Sequence, residues 1–274
     1  MGLFDIFKKK KKEENNVDPL AAEKRLYSRF SKNGYNFERK VTPLVNAYKL
    51  ETVYAYDKEQ EALFIFTAPT LNGKYTSCGT KTQEIKVISK NKNGEFSVAV
   101  FNDSTIFAYE LMEKIKVMSA DKVNAENKQT QIWDKEEISL RTPKEGEGKN
   151  LGQSSSFDRF NKDHKFEMAT KQLEYPPFQR RFAYWYDEKN DAVICCNGPC
   201  ISGQMRDYTD YDVAITIVKK NEKGEYIEYG VCDNQTFETI RKTINKICTV
   251  EDELNAKRDE LWAGQEDSSE DELE

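Results

Sequence analysis

Six cysteines and a single histidine are the residues of this 274-residue chain whose chemistry could support metal binding or nucleophilic catalysis. Cys195, Cys196 and Cys200 lie close together, and with Cys232 they could offer four thiolates to zinc. Their spacing does not resemble a zinc-ribbon knuckle, and no C-x-x-C sequence is present. His164 lies in a polar run typical of a solvated turn, which makes it a poor partner for a nucleophile. We therefore expect no metal ion, no cofactor and no catalytic residue.

An internal repeat indicates how the cysteines are used. Residues 27–107 align without a gap to residues 157–237, 130 positions further on, with 16 identities in 81 positions. A repeat of this length predicts a duplicated domain, because solenoid units run to only about 20–50 residues. Cys195 and Cys196 align with Ile65 and Phe66, which belong to an apolar run. Since free cysteine often serves as a small buried hydrophobe, we expect reduced core thiols at these positions.

The repeated pattern predicts the fold class. Each repeat indicates an α+β domain with the order α-β-β-β-β-α-α, in which flanking helices pack on an antiparallel four-stranded sheet. The predicted strands are 45–56, 62–67, 84–89 and 95–101 in the first repeat and 178–186, 192–196, 213–218 and 225–231 in the second. The predicted helices before the sheets are 21–31 in the first repeat and 157–161 in the second. After each sheet we expect a helix whose N-cap is Asp103 or Ser104 in the first repeat and Asp233 or Asn234 in the second. A last helix is predicted to begin at Ser119 in the first repeat and at Thr249 in the second.

Composition along the chain divides it into five segments. They are an N-terminal arm (1–20), the first repeat (21–134), a flexible linker (135–153), the second repeat (154–262) and an acidic disordered tail (263–274). The net charge is -6, and the tail alone carries six acidic residues. This charge distribution argues against nucleic acid as a partner, because phosphate contacts need a concentrated basic face.

The cellular location is predicted from what the sequence lacks. It contains no apolar stretch of about 20 residues and no signal-peptide pattern. Five of the six cysteines lie in the second repeat, so the repeats share no disulfide framework. We expect a cytoplasmic, bacterial protein.

The N-terminal arm combines an apolar wedge with a polybasic run. This combination is typical of a segment that attaches reversibly to an anionic membrane surface, here the inner face of the cell membrane. The alternative interpretation is a solvated start of the chain, since Glu13 and Glu14 partly offset the lysines. The predicted membrane contacts are Leu3, Phe4, Ile6, Phe7, Lys8, Lys9, Lys10, Lys11 and Lys12.

One loop in each repeat combines a shared frame with different contents. The frame is Pro69-x-x-x-Gly73 in the first repeat and Pro199-x-x-x-Gly203 in the second. Tyrosine and arginine are enriched at interaction hot spots, and functional contacts are often carried by loops on a rigid scaffold. A variable solvated loop is the alternative. The predicted partner-binding residues are Tyr75, Arg206, Asp207, Tyr208 and Tyr211.

These features together predict a non-enzymatic intracellular protein that binds a protein partner whose identity the residues do not reveal. An adaptor or an immunity-protein-like inhibitor would have this character. The rival hypothesis is an enzyme or small-molecule sensor with a pocket between the two repeats that uses Tyr56, Trp185, Tyr186 or the two Pro/Gly loops.

Overall fold

The computed structural model describes residues 18–33, 35–102, 105–161, 163–173 and 177–263, which form an α+β protein with two antiparallel sheets. Their contacts define two compact units. The first falls within Met1–Arg39 and Pro43–Met112, and the second within Lys40–Thr42 and Glu113–Glu274. No helix in the described part of the chain combines the length and the apolar composition that crossing a lipid bilayer requires.

The first unit is built around a six-stranded sheet. Its strands follow the order β1-β2-β3-β5-β6, and β4 pairs with β3. On one face, Tyr27 and Phe30 of the first helix pack against Leu63, Ile65 and Ile88. The elements are α1 (Ala21–Asn33), β1 (Phe37–Pro43), β2 (Lys49–Asp57), β3 (Ala62–Leu71), β4 (Lys74–Tyr75), β5 (Glu84–Lys90), β6 (Phe96–Phe101) and the start of α2 (Ile106–Asp134).

The second unit contains a seven-stranded sheet and a long helix. Its strands follow the order β7-β13-β12-β10-β9-β8, and β11 pairs with β10. The main core holds Ile240, Ile244 and Ile247 of that helix, and Trp133 packs on Trp185 with ring centroids 5.2 Å apart. The elements are β7 (Lys149–Gly152), α3 (Ser155–Arg159), β8 (Phe166–Gln172), β9 (Gln179–Asp187), β10 (Ala192–Ile201), β11 (Gln204–Met205), β12 (Ala214–Lys220), β13 (Tyr226–Gly230) and α4 (Asn234–Ala263).

Local chemistry fixes the start of α4 as the sequence predicts. The Thr236 N–H donates to Asp233 Oδ1 at 2.8 Å, which confirms Asp233 as the N-cap and satisfies one of the first helical donors. The C-terminal part of α2 runs antiparallel to α4, with ion pairs Lys122–Glu251 at 3.1 Å and Lys257–Asp121 at 2.8 Å. Asp103 and Ser104, the predicted cap of α2, lie outside the described residues.

The strands of the two sheets begin at matching intervals. β2, β3, β4 and β5 begin at residues 49, 62, 74 and 84, and β9, β10, β11 and β12 begin 130 residues later at 179, 192, 204 and 214. The turns agree in conformation as well, with φ values of 46° and 45° at Glu61 and Asp191 and of 83° and 79° at Gly94 and Gly224.

Three details of the predicted topology are wrong. The sheets have six and seven strands instead of four, chiefly because the polar segments of β1 and β8 pair with β2 and β9. The two final helices predicted for each repeat form one continuous helix, α2 after the first sheet and α4 after the second, because the buried Ser119 and the residues after it continue the helical packing. The predicted linker contributes β7 and the buried side chains of Ile138 and Leu140 to the second unit, so this segment is part of its core.

Candidate functional site

The cysteines do not assemble into a metal site. All six are free thiols, and the described residues contain no group of three or more His, Cys, Asp or Glu side chains placed to hold a metal ion. Cys195 and Cys196 point to opposite faces of β10 and pack in different clusters. Burial raises the pKa of Cys195 to about 12 and raises that of Cys196 further. Buried, neutral thiols are poor nucleophiles and poor metal ligands.

The other chemically reactive candidates also have structural contacts. The His164 ring packs on Phe160, with centroids 5.2 Å apart, and its Nε2 lies 3.5 Å from Glu167 Oε2. Tyr186 donates a hydrogen bond to Asp191 Oδ1 at 2.9 Å, and burial raises the pKa of this tyrosine to about 12. Trp185 is 2% exposed and is a core residue, so it cannot serve as a ligand contact without repacking.

A small cleft in the second unit is one candidate for a ligand pocket. Its volume is about 230 Å³, and Cys232, Asp233 and Thr236 line it beside Arg141 and Tyr229. Ligand pockets commonly enclose about 300–1,000 Å³. Most of its polar groups already have partners, because Asp233 caps α4, Arg141 pairs with Glu147, and the Tyr229 hydroxyl donates to the Arg141 carbonyl at 2.8 Å. The cleft therefore gives little support to a small-molecule site.

The predicted loop of the second unit, residues 204–211, has a rigid base, and we call the segment 204–213 that contains it the Tyr208 loop. Ser202 and Gly203 form the preceding turn with φ values of 49° and 79°, which leads β10 into β11. At Met205 the backbone N–H donates to Asn245 Oδ1 at 2.9 Å, and Asn245 Nδ2 donates to the Met205 carbonyl at 3.1 Å. Both residues are buried, so one α4 side chain holds both backbone groups of the loop base.

A buried ion pair fixes the same turn from the other side. Arg181 is 4% exposed, and its Nη1 donates to the Gly203 carbonyl at 2.6 Å. Its Nη2 contacts both carboxylate oxygens of Asp252, at 3.1 and 3.2 Å. Burial raises the pKa of Asp252, and the adjacent guanidinium offsets part of that rise. The loop is therefore held by α4 and β9 together.

The tip of the loop displays aromatic side chains. Tyr208 and Tyr211 exchange two backbone hydrogen bonds of 2.9 Å around Thr209, whose φ of 50° closes a tight turn. The Tyr208 ring stacks on Phe178 with centroids 3.6 Å apart and planes 24° apart. Tyr211 is 49% exposed.

Arg206 and Asp207, the two remaining predicted residues of this loop, are exposed, but Tyr75 lies elsewhere. Arg206 projects from the loop, and Asp207 accepts a hydrogen bond from the Val213 N–H at 2.7 Å. Tyr75 is in the first unit, where its ring packs edge-on against Phe66 and its hydroxyl donates to Glu51. The structure thus groups four of the five predicted contacts on one loop. The role of Tyr75 in binding stays a prediction.

Sequence reasoning missed a cationic and aromatic patch on β8 and β9. Lys171 and Arg180 are directly opposite each other across these strands. Both cations lie over the Phe182 ring, at 5.7 and 5.1 Å from its centroid. Arg180 also donates to Asn197 Oδ1 at 2.9 and 3.1 Å.

Comparing residues that lie 130 positions apart in the sequence could have identified this patch. The positions 130 residues before Lys171, Arg180 and Phe182 hold Val41, Leu50 and Thr52, so only the second repeat has this chemistry. The nine N-terminal contacts predicted for a membrane, Leu3, Phe4, Ile6, Phe7, Lys8, Lys9, Lys10, Lys11 and Lys12, lie outside the described residues.

Comparison of the chain with models of known protein families, with curated proteins and with solved structures found no match in any of the three.

Proposed function

We propose that the protein is a non-enzymatic binding protein that holds a protein partner through its second unit. The contact surface, which we call the Tyr208 surface, consists of the Tyr208 loop with Lys171, Phe178, Arg180 and Phe182. The stack of Tyr208 on Phe178, on a loop whose base is fixed by Asn245, is the observation that carries this proposal.

Rigid presentation favours binding. Ordering a rotamer-rich side chain at an interface costs about 0.5–1.5 kcal/mol, and a loop that is already fixed avoids much of that cost. Here the Asn245 amide and the Arg181 guanidinium fix the loop base, while Tyr211 at its tip is exposed. Tyrosine and arginine supply a large contact area with few rotatable bonds and are common hot-spot residues.

The charges on this surface indicate what kind of partner fits. Lys171 and Arg180 lie directly opposite each other on the neighbouring strands β8 and β9, and like charges in such positions repel. A carboxylate of a partner placed over this pair would relieve that repulsion. The Tyr208 loop carries negative charge instead and favours basic groups of a partner, because it contains Asp207, Asp210 and Asp212. A protein surface can supply both signs, whereas a nucleic-acid backbone supplies only negative charge.

We also propose that the two sheets descend from a tandem duplication. The matching strand starts and turn conformations support this, as do the 16 identities at a spacing of 130 residues. In this proposal the duplication supplied two copies of one scaffold, and the partner-binding chemistry developed on the second. The polybasic arm, Lys8 to Lys12, would hold the protein loosely at an anionic membrane.

Site-specific photo-crosslinking tests the proposed surface. A benzophenone amino acid at Tyr211 would be irradiated in cells, with the same probe at Lys81, its counterpart in the first unit, as the matched control. We expect a discrete adduct with one protein from position 211, and we expect Arg180→Glu to remove it. Equal adducts from both positions, or an adduct that survives Arg180→Glu, would contradict the proposal.

A further inference from the structure

The outer strands of the two sheets differ in how they are protected from pairing with other chains. Exposed sheet edges are usually blunted by charge, proline, short length or a bulge. β1 contains three consecutive charged residues and ends at Pro43, and β8 contains Glu167 and Lys171. β7 is four residues long and carries Lys149. β6, with the sequence FSVAVF, has no charge and no proline.

The outer edge of β6 carries apolar side chains and is open among the described residues. On its inner side, residues 96–101 pair with residues 85–90 of β5, and the strand order of the sheet ends there. Val100 is 56% exposed. The corresponding strand of the second sheet, β13, is covered by β7, with Tyr226 opposite Gly152.

A second group of exposed apolar side chains lies at the start of α2. Ile106 is 80% exposed, and Phe107 and Tyr109 are each 54% exposed. The Phe107 ring contacts Phe101 of β6 edge-on, with centroids 6.2 Å apart, so this group adjoins the face of β6 that carries Phe101, opposite to the face that carries Val100. Exposed apolar side chains that lie together often mark interaction sites.

We propose that β6 is a homodimerisation edge, at which the β6 strand of a second copy of this chain pairs antiparallel across a two-fold axis. The two six-stranded sheets then form one continuous sheet through the dimer. This interface lies in the first unit and does not depend on the Tyr208 surface.

The sequence of β6 is compatible with itself in this arrangement. Directly opposite residues of an antiparallel pair are both hydrogen-bonded or both non-hydrogen-bonded, so the two-fold axis lies midway between the two copies of one residue, here Val98 or Ala99. With the axis at Val98, Phe96 lies opposite the partner's Val100. With the axis at Ala99, Val98 lies opposite the partner's Val100. Each arrangement makes apolar cross-strand pairs and sets no charge against a like charge.

A second copy is favoured over an unrelated strand. β6 contains no charged side chain that would select a particular partner sequence, and main-chain hydrogen bonds alone do not discriminate between strands. A symmetric, self-complementary patch is the usual basis of a two-fold dimer. The flanking Ile106, Phe107 and Tyr109 are contributed by both copies and would double the apolar area beside the paired strands.

The test measures the oligomeric state of the full chain by sedimentation over a concentration series. Val100→Lys places a cation on the exposed edge and should weaken the dimer by about tenfold or more, since each dimer acquires two such charges. The matched control is Val45→Lys, because Val45 is 59% exposed and lies outside the sheet edge. It should leave the dissociation constant unchanged. Circular dichroism checks that both variants fold.

Hydrogen exchange identifies the paired strand independently of any substitution. The amides of residues 96–101 should exchange more slowly as the protein concentration rises through the dissociation constant, and those of β1 should not change. A chain that stays monomeric at high concentration, or a dimer that Val100→Lys leaves intact, overturns the proposal. Protection of β6 that is independent of concentration also overturns it, because the edge would then be covered within one chain or by a different protein.

Discussion

The contact between Asn245 and Met205 provides the sharpest test of the Tyr208 loop. Asn245→Ile removes the amide that serves both backbone groups of Met205, and it introduces the residue type found 130 positions earlier in the chain, at Ile115. An unsatisfied buried polar group costs about 1–3 kcal/mol. Arg241 Nη1 stays 3.5 Å from the Met205 carbonyl and partly satisfies it. We therefore expect a loss of about 2–4 kcal/mol in the free energy of unfolding of the second unit.

Tryptophan fluorescence during urea unfolding measures this loss selectively. The chain has three tryptophans, Trp133, Trp185 and Trp262, and all lie in the second unit. The signal therefore reports that unit even if the two units unfold separately, a case in which a single transition is not defined for the whole chain. The midpoint should fall with little change in the slope of the transition.

A control substitution on the same helix separates this effect from general damage to α4. Lys242 is exposed, and Lys242→Ala should change the free energy of unfolding by no more than about 0.5 kcal/mol. The proposed anchoring would be refuted if Asn245→Ile cost no more than Lys242→Ala. It would also be refuted if hydrogen exchange at residues 204–213 stayed as slow as in the parent protein.

Three further predictions concern thiols, the buried ion pair and the arm. Burial raises the pKa of Cys248 to about 12, so this thiol stays neutral from about pH 7 to about pH 9 and should resist alkylation until the protein unfolds. The exposed Cys232 should be alkylated in the native state, and mass spectrometry of the labelled peptides checks both outcomes. Asp252→Ala leaves the buried Arg181 without its carboxylate and should destabilise the second unit by about 1–2 kcal/mol. This is less than the usual loss for a fully buried ion pair, because the Asp252 side chain is 37% exposed. In urea unfolding, the double variant with Arg181→Met should recover part of that loss. Removing residues 1–12 should release the protein from anionic vesicles at low ionic strength, and raised salt should release the full chain. If vesicle flotation recovers the same bound fraction of the full and the shortened chain, the arm is not an anchor.

The sequence alone determined those parts of the fold that depend on local chemistry. The turns at Gly94 and Gly224 need a positive φ, which glycine adopts without strain, and the structure has φ values of 83° and 79° there. The Asp233 cap depends on a residue three positions away. Apolar runs placed β3 and β10, and the alignment at a spacing of 130 residues set Cys195 and Cys196 against the apolar Ile65 and Phe66.

Only the tertiary structure decided the number of strands and the continuity of the last helices. β1 and β8 carry few apolar residues, and their strand conformation depends on hydrogen bonds supplied by β2 and β9. No periodicity within the segments themselves reveals that pairing. Ser119 resembles a helix start in the sequence, yet it lies buried within α2, because packing of the long helix outweighs the local preference of serine.

The same distinction applies to the candidate site. Arg206, Asp207, Tyr208 and Tyr211 are close in the chain, so the sequence could group them on one loop. Phe178 and Asn245 lie 30 and 40 residues from their contacts, Tyr208 and Met205. Strand register and the docking of α4 bring these residues together, and both are settled by burial of the whole core. The aromatic stack and its rigid support are therefore consequences of tertiary packing that no local pattern specifies.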